Sequence, residues 1–394
     1  MRLPIMMSLI TIVVALGVDI YILFAIKRRC KSRLPYIIHI IAAVAIYAMM
    51  FTAVAMPYKS GDDATLRTVM WILFCVSSIL IGKVVFFIGD IVASIPKLFK
   101  RDRCKTLSMT AIVLGMITFI SMWCGALVTR FQSEVKEFEI KIDNLPHEFD
   151  GYKIVQISDL HVGTLGDDTS FTERLTEVVN SLNPDIIVFT GDIVNRRTSE
   201  LIPQVPVLSG LHAKDGVYSI LGNHDYGDYT VWPNDESKRE NMQQLYDIQK
   251  DMGWRLLLNE HIWLHRGNDS IALIGVENVG DPPFHTYGSL SQAYHSPGDS
   301  AVKILLSHNP AHWNTDIADN DTMNIALTLS GHTHAMQMSI CGLSPAAMRY
   351  KTWGGLYTDK SGKHKLYVNI GAGTVGIPMR LGATPEITLF TIKR

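Results

Sequence analysis

Cysteine is scarce in this chain, with five among 394 residues. Cys30, Cys75, Cys104 and Cys124 lie in the first third, and only Cys341 lies beyond it. No CxxC pair occurs, so a disulfide framework, a CxxC metal site and a dithiol redox motif are excluded. Net charge is also nearly absent: 36 Lys and Arg stand against 37 Asp and Glu. Nothing global therefore points to nucleic acid. Internal repeats and low-complexity segments are missing. The length leaves room for two or more domains.

What is present is unevenly spread. Residues 1–130 are overwhelmingly apolar and contain four long runs, 4–26, 36–56, 68–95 and 107–129. Each is about long enough to cross a hydrocarbon core of ~30 Å at ~1.5 Å per residue. The first run does not read as a cleaved signal peptide. It is preceded only by Arg2, lacks a small-residue cleavage pattern and is followed by "KRRCKSR", which anchors a span. Basic residues concentrate in two loops: Lys27, Arg28, Arg29, Lys31 and Arg33, then Lys97, Lys100, Arg101, Arg103 and Lys105. The positive-inside rule puts both loops in the cytoplasm. The expectation is four spans, both ends outside, and everything from residue 131 on the outer face. Asp19, His39, Lys83 and Asp90 fall inside or at the ends of these runs. Lys83 and Asp90, seven apart, share a helix face. An internal ion pair that fixes helix packing is favoured over a lipid-headgroup or ion site.

Residues 131–394 read as a separate α/β domain. Strand-like runs such as "YKIVQIS", "DIIVFTG", "VKILLSH" and "NIALTLSG" alternate with helical patterns such as "SFTERLTEVVNSL" and "ESKRENMQQLYDIQKDMG". Buried strands mixed with helices imply sheets covered by helices. Five strands end alike, in an apolar run, a small residue and then polar groups. "IVQISDLH" ends on Asp159 and His161, "IIVFTGDIVN" on Asp192 and Asn195, and "VYSILGNHD" on Asn223, His224 and Asp225. "KILLSHNP" ends on His308, and "ALTLSGHTH" on His332 and His334. Active sites in such folds gather at the C-terminal ends of strands.

Carboxylates, an amide and imidazoles together suit Mn, Fe or Zn rather than a soft thiolate metal. Asp159, His161, Asp192, Asn223, His308, His332 and His334 are too many for one ion. Two divalent ions sharing one carboxylate would use them all, with Asp192 the natural bridge, and would clamp a phosphoryl group while activating water. Each motif alone is weak. Asp-x-His is common, and Asn223 beside Gly222 could be a simple turn. All five strand ends together leave little room for a purely structural account.

The ordered set "SDLH", "GDIVN", "GNHD", "SHNP" and "SGHTH" resembles the calcineurin-like metallophosphoesterases, over residues 150 to 392. Within them it is similar to the membrane-attached or exported bacterial branch of YkuE-like phosphodiesterases. The polytopic first third is similar to the transmembrane metallophosphoesterase-domain proteins. The resemblance implies an αββα sandwich with a dimetal site at one edge. It assigns Asp159, His161 and His334 to one ion and Asn223, His308 and His332 to the other, with Asp192 bridging. His224 takes the place of the general acid, positioned by Asp225, and a metal-bridging hydroxide is the nucleophile. Arg380, in "GIPMRLGATPEI", and Asn195 are candidate substrate contacts. After "GHTH" the related exported enzymes commonly continue Gly-Gly-Gln. Here Ala335 and Met336 precede Gln337.

The expected function is a membrane-anchored hydrolase of phosphoesters, lipid-linked phosphates among them, in a bacterial cell membrane. Two other classes fit parts of the chain: a non-catalytic metal-binding scaffold, and a sensor or transporter in which the spans carry the main role. The filled motif positions argue against the scaffold.

Overall fold

The computed structural model describes residues 2–294, 301–320 and 322–394, with side chains from residue 11 onward. The chain divides into two compact units, residues 1–61 with 65–126, and residues 62–64 with 127–394.

The first unit is built from helices α1 (Arg2–Arg29), α2 (Leu34–Ala55), α3 (Asp63–Val92) and α4 (Lys105–Leu127). Among the described residues, three helical stretches are long and apolar enough to cross a membrane: Leu34–Ala55, Asp63–Phe99 and Lys105–Phe131. The run 4–26 falls within the 28-residue helix α1. Many apolar side chains of this unit face outward, including Ile41, Val44, Phe51 and Ile120. That is the distribution expected when lipid rather than water surrounds the helices. Lys83 and Asp90 do not pair with each other. Lys83 Nζ lies 2.7 Å from Asp19, which also accepts a hydrogen bond from Tyr47 and faces His39. Asp90 is instead met by Arg28, Arg29 and Arg103.

The second unit carries twelve strands among the described residues: β1 (Glu134–Lys141), β2 (Lys153–Ile157), β3 (Ile186–Phe189), β4 (Val217–Ser219), β5 (Trp254–Leu256), β6 (Glu260–Arg266), β7 (Asp269–Gly275), β8 (Lys303–Leu306), β9 (Ile325–Ser330), β10 (Gly355–Thr358), β11 (Lys365–Val368) and β12 (Glu386–Lys393). They form two mixed six-stranded sheets, ordered β1-β12-β2-β3-β4-β5 and β10-β11-β9-β8-β7-β6. The helices among the described residues are α5 (Ser170–Ser181), the single turn α6 (Val205–Leu208), α7 (Asp235–Asp251) and the single turn α8 (Leu290–Ala293).

The period of two along each strand explains the layers. In β3, Ile186 and Val188 point into the core between the sheets, with Ile304, Leu306, Leu327 and Leu329 from the other sheet. Ile187 and Phe189 point the other way, into a core with Phe171, Leu175 and Val179 of α5 and Leu245 of α7. In β8, Leu305 faces away from the first sheet and packs with Trp313 and Ile317. Strands buried on both faces need apolar residues at every position, which is why these runs show no polar alternation.

This arrangement puts the strand ends together. β2, β3 and β4 are parallel neighbours, as are β8 and β9. Their C-terminal ends therefore lie on one edge of each sheet. Gln156 Nε2 ties the two edges by donating to Thr190 Oγ1 and to the Ser330 carbonyl, each at 2.9 Å.

Candidate dimetal centre

The candidate residues lie just beyond those strands, where the chain has left the ladder but is still held by it. Asp159 follows β2, Asp192 follows β3, Asn223 follows β4, His308 follows β8 and His332 follows β9. The turns are tight. Asp159, His161, Asp192, His332 and His334 all have positive φ, between 44° and 75°. Non-glycine residues there cost roughly 1–2 kcal/mol each, a cost typical of functional sites. Two glycines make room for the carboxylates. A Cβ on Gly331 would fall 2.2 Å from Asp159 Oδ2, and one on Gly222 the same distance from Asp192 Oδ1.

Six of the seven candidates form two buried groups that share Asp192. Asp159, His161, Asp192 and His334 make one, and Asp192, His308 and His332 the other. Within each group one donor atom per residue lies within 4.8 Å of the others. Asp192 Oδ2 is 3.2 Å from His308 Nε2 and 3.5 Å from His161 Nε2. His334 Nε2 is 3.2 Å from Asp159 Oδ1 and 3.0 Å from His161 Nε2. Two imidazole nitrogens this close can share one proton or one cation.

The opposite nitrogens are held by the protein. His161 Nδ1 donates to the Val194 carbonyl (3.1 Å) and His308 Nδ1 to the Thr190 carbonyl (2.8 Å). His334 Nδ1 faces Arg380 and His332 Nε2 faces the Tyr350 hydroxyl, both at 3.3 Å. Such outer contacts fix the ring orientation of metal-ligating histidines. Asn223 Oδ1 is buried without a hydrogen-bond partner, and His308 Nε2 faces only the Asp192 carboxylate. Buried polar atoms are rarely left like Asn223 Oδ1, and an orphaned acceptor beside a carboxylate and imidazoles fits a cation. The oxygen and nitrogen donor set is also right for one.

The electrostatics agree. Burial would raise the Asp159 carboxyl, but His334 beside it holds it well below the ordinary range. Asp192 is likewise depressed against burial, chiefly by His308 and His224. Burial drives His332 down to about 3 and His161 well below its ordinary value, so both rings are neutral and their lone pairs available. His308 goes the other way. The Asp192 carboxylate overrides its burial and lifts it to about 9. A proton and a cation therefore compete for the His308 lone pair.

Comparison with known proteins agrees with this geometry. Residues 152–336 match the model of the calcineurin-like phosphoesterase family. Residues 1–130 match a family described as the transmembrane domain of a probable calcineurin-like phosphoesterase. The Bacillus subtilis protein described as uncharacterized metallophosphoesterase YkuE is 34% identical over 274 residues, 66% of this chain and 85% of that one.

The chain belongs to the calcineurin-like metallophosphoesterases.

A zebrafish (Danio rerio) transmembrane protein with metallophosphoesterase domain is 30% identical over 296 residues, 73% of this chain. This chain spans 64% of that relative's length. A metallophosphoesterase of Aquifex aeolicus is 28% identical over 70% of this chain and 98% of its own. This calcineurin-like protein is thus a metal-dependent phosphoesterase with an N-terminal transmembrane region.

Around the centre the structure revises several expectations. Asp225 does not hold His224. Its carboxylate accepts from the backbone N–H groups of Asp192, Ile193, Val194 and Gly222 at 2.8–3.3 Å. Burial and the Asp192 charge push its pKa up to about 7, while these donors favour the anion. It pins the Asp192 turn. His224 is held by Asn195, whose main-chain oxygen accepts from His224 Nδ1 at 2.6 Å. Asn195 thus serves the site through its backbone. Arg380 directs its guanidinium to the main chain instead of presenting it to the surface. It is fully buried, and its guanidinium donates to the Gly373, Ala383 and Ile370 carbonyls. Its place is behind His334.

Several contacts escaped the motif reading. The Tyr229 hydroxyl accepts from Asn223 Nδ2 at 2.9 Å, leaving Oδ1 as the free end of that amide, and its ring stacks on His224 with centroids 4.2 Å apart. Phe284 packs edge-on against His332, and Tyr350 borders the same ring. Tyr229 was within sight, five residues after His224 in "GNHDYGDY". Phe284 and Tyr350 carry no local signal. Ala335 (φ 51°) and Met336 (φ 47°) have left-handed backbones, a conformation that glycine adopts without strain. Gln337 ties the turn to residues 375–377 through Val375 N–H and the Ile377 carbonyl.

Proposed function

We propose that this protein hydrolyses phosphoesters with two divalent cations, Mn, Fe or Zn. In this reading Asp159, His161 and His334 serve one ion, Asn223, His308 and His332 the other, and Asp192 both. The observation that carries it is the pair of buried groups meeting at Asp192. The cations would supply an activated water and Lewis acidity toward the phosphoryl oxygens.

The chain's own residues supply the rest. The Asn195 carbonyl fixes the proton of His224 on Nδ1, which leaves Nε2 to carry the second, transferable proton. Burial lowers the pKa of His224, and Asp192 opposes this. A bound phosphate would add negative charge and favour the imidazolium against that burial. His224 then protonates the leaving oxygen as general acid. Tyr229 keeps that ring and Asn223 in place, and Asp225 keeps the Asp192 turn closed.

The membrane placement is part of the proposal. Helix α1 joins the three apolar stretches as a fourth span, and the basic loops at 27–33 and 97–105 set the phosphoesterase domain on the outer face of a bacterial cell membrane. A hydrolase fixed there meets lipid-linked phosphates at high local concentration, and these are the proposed substrates. The test is a panel of aryl phosphodiesters, phosphomonoesters and lipid phosphates on Mn-loaded full-length enzyme, with Asp192→Asn as control. Turnover abolished by Asp192→Asn supports the proposal. No turnover of any of them, or turnover indifferent to the substitution, refutes it. Reporter fusions at residue 60, residue 102 and the C-terminus test the topology independently.

A further inference from the structure

The helical unit holds a charge imbalance that phosphoester hydrolysis does not use. Asp90, near the end of α3, is completely buried. Arg28 Nη2 lies 3.0 Å from it, and Arg29 and Arg103 also contact its carboxylate. Tyr21 and Ser108 donate hydroxyls at 2.8 and 2.6 Å. Three guanidiniums against one carboxylate leave an excess of two positive charges. The C-terminal ends of α1 and α3 offset about half a charge each. Neighbouring Lys27, Lys31, Arg33, Lys97, Lys100, Arg101 and Lys105 add more, and Asp102 is the one acid among residues 27–33 and 97–105.

Two further features turn this imbalance into a site. The cluster is open on one side: the Arg28 and Arg29 side chains are 39% and 25% exposed, and Arg103 Nε is buried with no hydrogen-bond partner. Arg29 also lies over the Phe86 ring, 5.5 Å from its centroid. Phe86 lines a largely apolar cavity of about 670 Å³ whose walls include Ile22, Ile79, Ile112 and Phe119, with His39 and Lys83 also in its lining. The arginine cluster and the cavity thus meet at Phe86.

We propose that this is a binding site for an anionic phospholipid, its phosphate on Arg28, Arg29 and Arg103 and an acyl chain in the cavity beyond Phe86. Guanidinium is the group best matched to a phosphate, through paired N–H donors. Basic pockets between transmembrane helices are suited to anionic headgroups, and each further Lys or Arg near an anionic surface adds to the attraction. Asp90 then acts as the hub that holds three repelling arginines in one place.

The experiment uses the full chain, purified in detergent and analysed by native mass spectrometry with equimolar phosphatidylglycerol and phosphatidylcholine. The same protein is then melted in nanodiscs of either lipid. Phosphatidylglycerol should be retained preferentially and should raise the melting temperature of the helical unit. Arg28→Gln with Arg103→Gln removes two of the three guanidiniums and should cut that preference by at least about tenfold, the loss expected for even one charge-assisted contact. Asp90→Asn gives a second reading should the double variant fold poorly. It removes the counter-charge, so the phosphatidylglycerol dependence of melting should persist or grow. Equal retention of the two lipids would overturn the proposal. So would an unchanged preference in the arginine variant, or a melting temperature of Asp90→Asn equally low in both lipids. A shift reproduced by inorganic phosphate or glycerol phosphate alone would overturn the lipid assignment.

Discussion

His224 Nδ1 lies 2.6 Å from the main-chain oxygen of Asn195. That one contact leaves Nε2 as the nitrogen free to give a proton, and in the proposed function it separates the role of His224 from that of the histidines that would hold the cations. His224→Asn should therefore lower kcat by about 10²–10⁴ with metal content unchanged. The loss should be greatest for alkyl esters and small for p-nitrophenyl esters, whose leaving group needs no proton. Steady-state kinetics on a leaving-group series checks this. A uniform loss across the series would exclude the general-acid role.

Tyr229 offers a finer test, because it touches Asn223 and His224 but reaches the centre only through them. Tyr229→Phe keeps the ring and removes the oxygen that accepts from Asn223 Nδ2. Outer contacts of this kind are worth roughly 10–100-fold in metal affinity. A chelator titration followed by metal analysis should show one ion released more easily than in the wild type. Release of both ions together, or no change, would count against this placement of Asn223.

Glu200 should make stability depend on pH. It is 4% exposed and accepts N–H groups from Asn195 and Arg196 at 2.6 and 3.2 Å. Burial outweighs those bonds and raises its pKa from 4.5 to about 7. The folded state then holds a proton that the unfolded chain has released. This contribution to stability is full below about pH 4.5 and is lost as pH rises through about 7, on the order of 3 kcal/mol. Glu200→Gln should flatten that slope in denaturant melts taken across the window. An unchanged slope would show that the carboxylate is ionised throughout.

Met336 is half-exposed and left-handed, with φ 47°. Met336→Gly should relieve strain of about 1 kcal/mol and raise the melting temperature of the phosphoesterase domain. Differential scanning calorimetry on the full chain reads this directly, and a lowered transition would mean the side chain contributes packing that outweighs the strain.

What was legible in the sequence was local. Each candidate motif is a strand end followed by a turn, so the positions of Asp159, Asp192, Asn223, His308 and His332 just beyond the strands could be read from the sequence. The buried strands mixed with helices gave away sheets covered by helices. What was not legible depends on packing between distant segments. Nothing in "GNHD" shows that Asp225 turns toward the Asp192 backbone while His224 turns toward Asn195. Arg380 looked like an anion-binding side chain because its burial behind His334 arises only when residues 370–383 fold over the centre. Lys83 and Asp90 share a helix face, yet each found a partner on another segment, since charges buried between helices pair across the bundle.

The central claim is that two cations meet at Asp192. Elemental analysis of purified full-length protein beside Asp192→Asn and Asn223→Ala tests it most directly. The wild type should hold about two ions per chain, Asn223→Ala about one, and Asp192→Asn neither at full occupancy. Metal-free wild-type protein after reconstitution, or an Asp192→Asn variant that keeps both ions, would contradict the account.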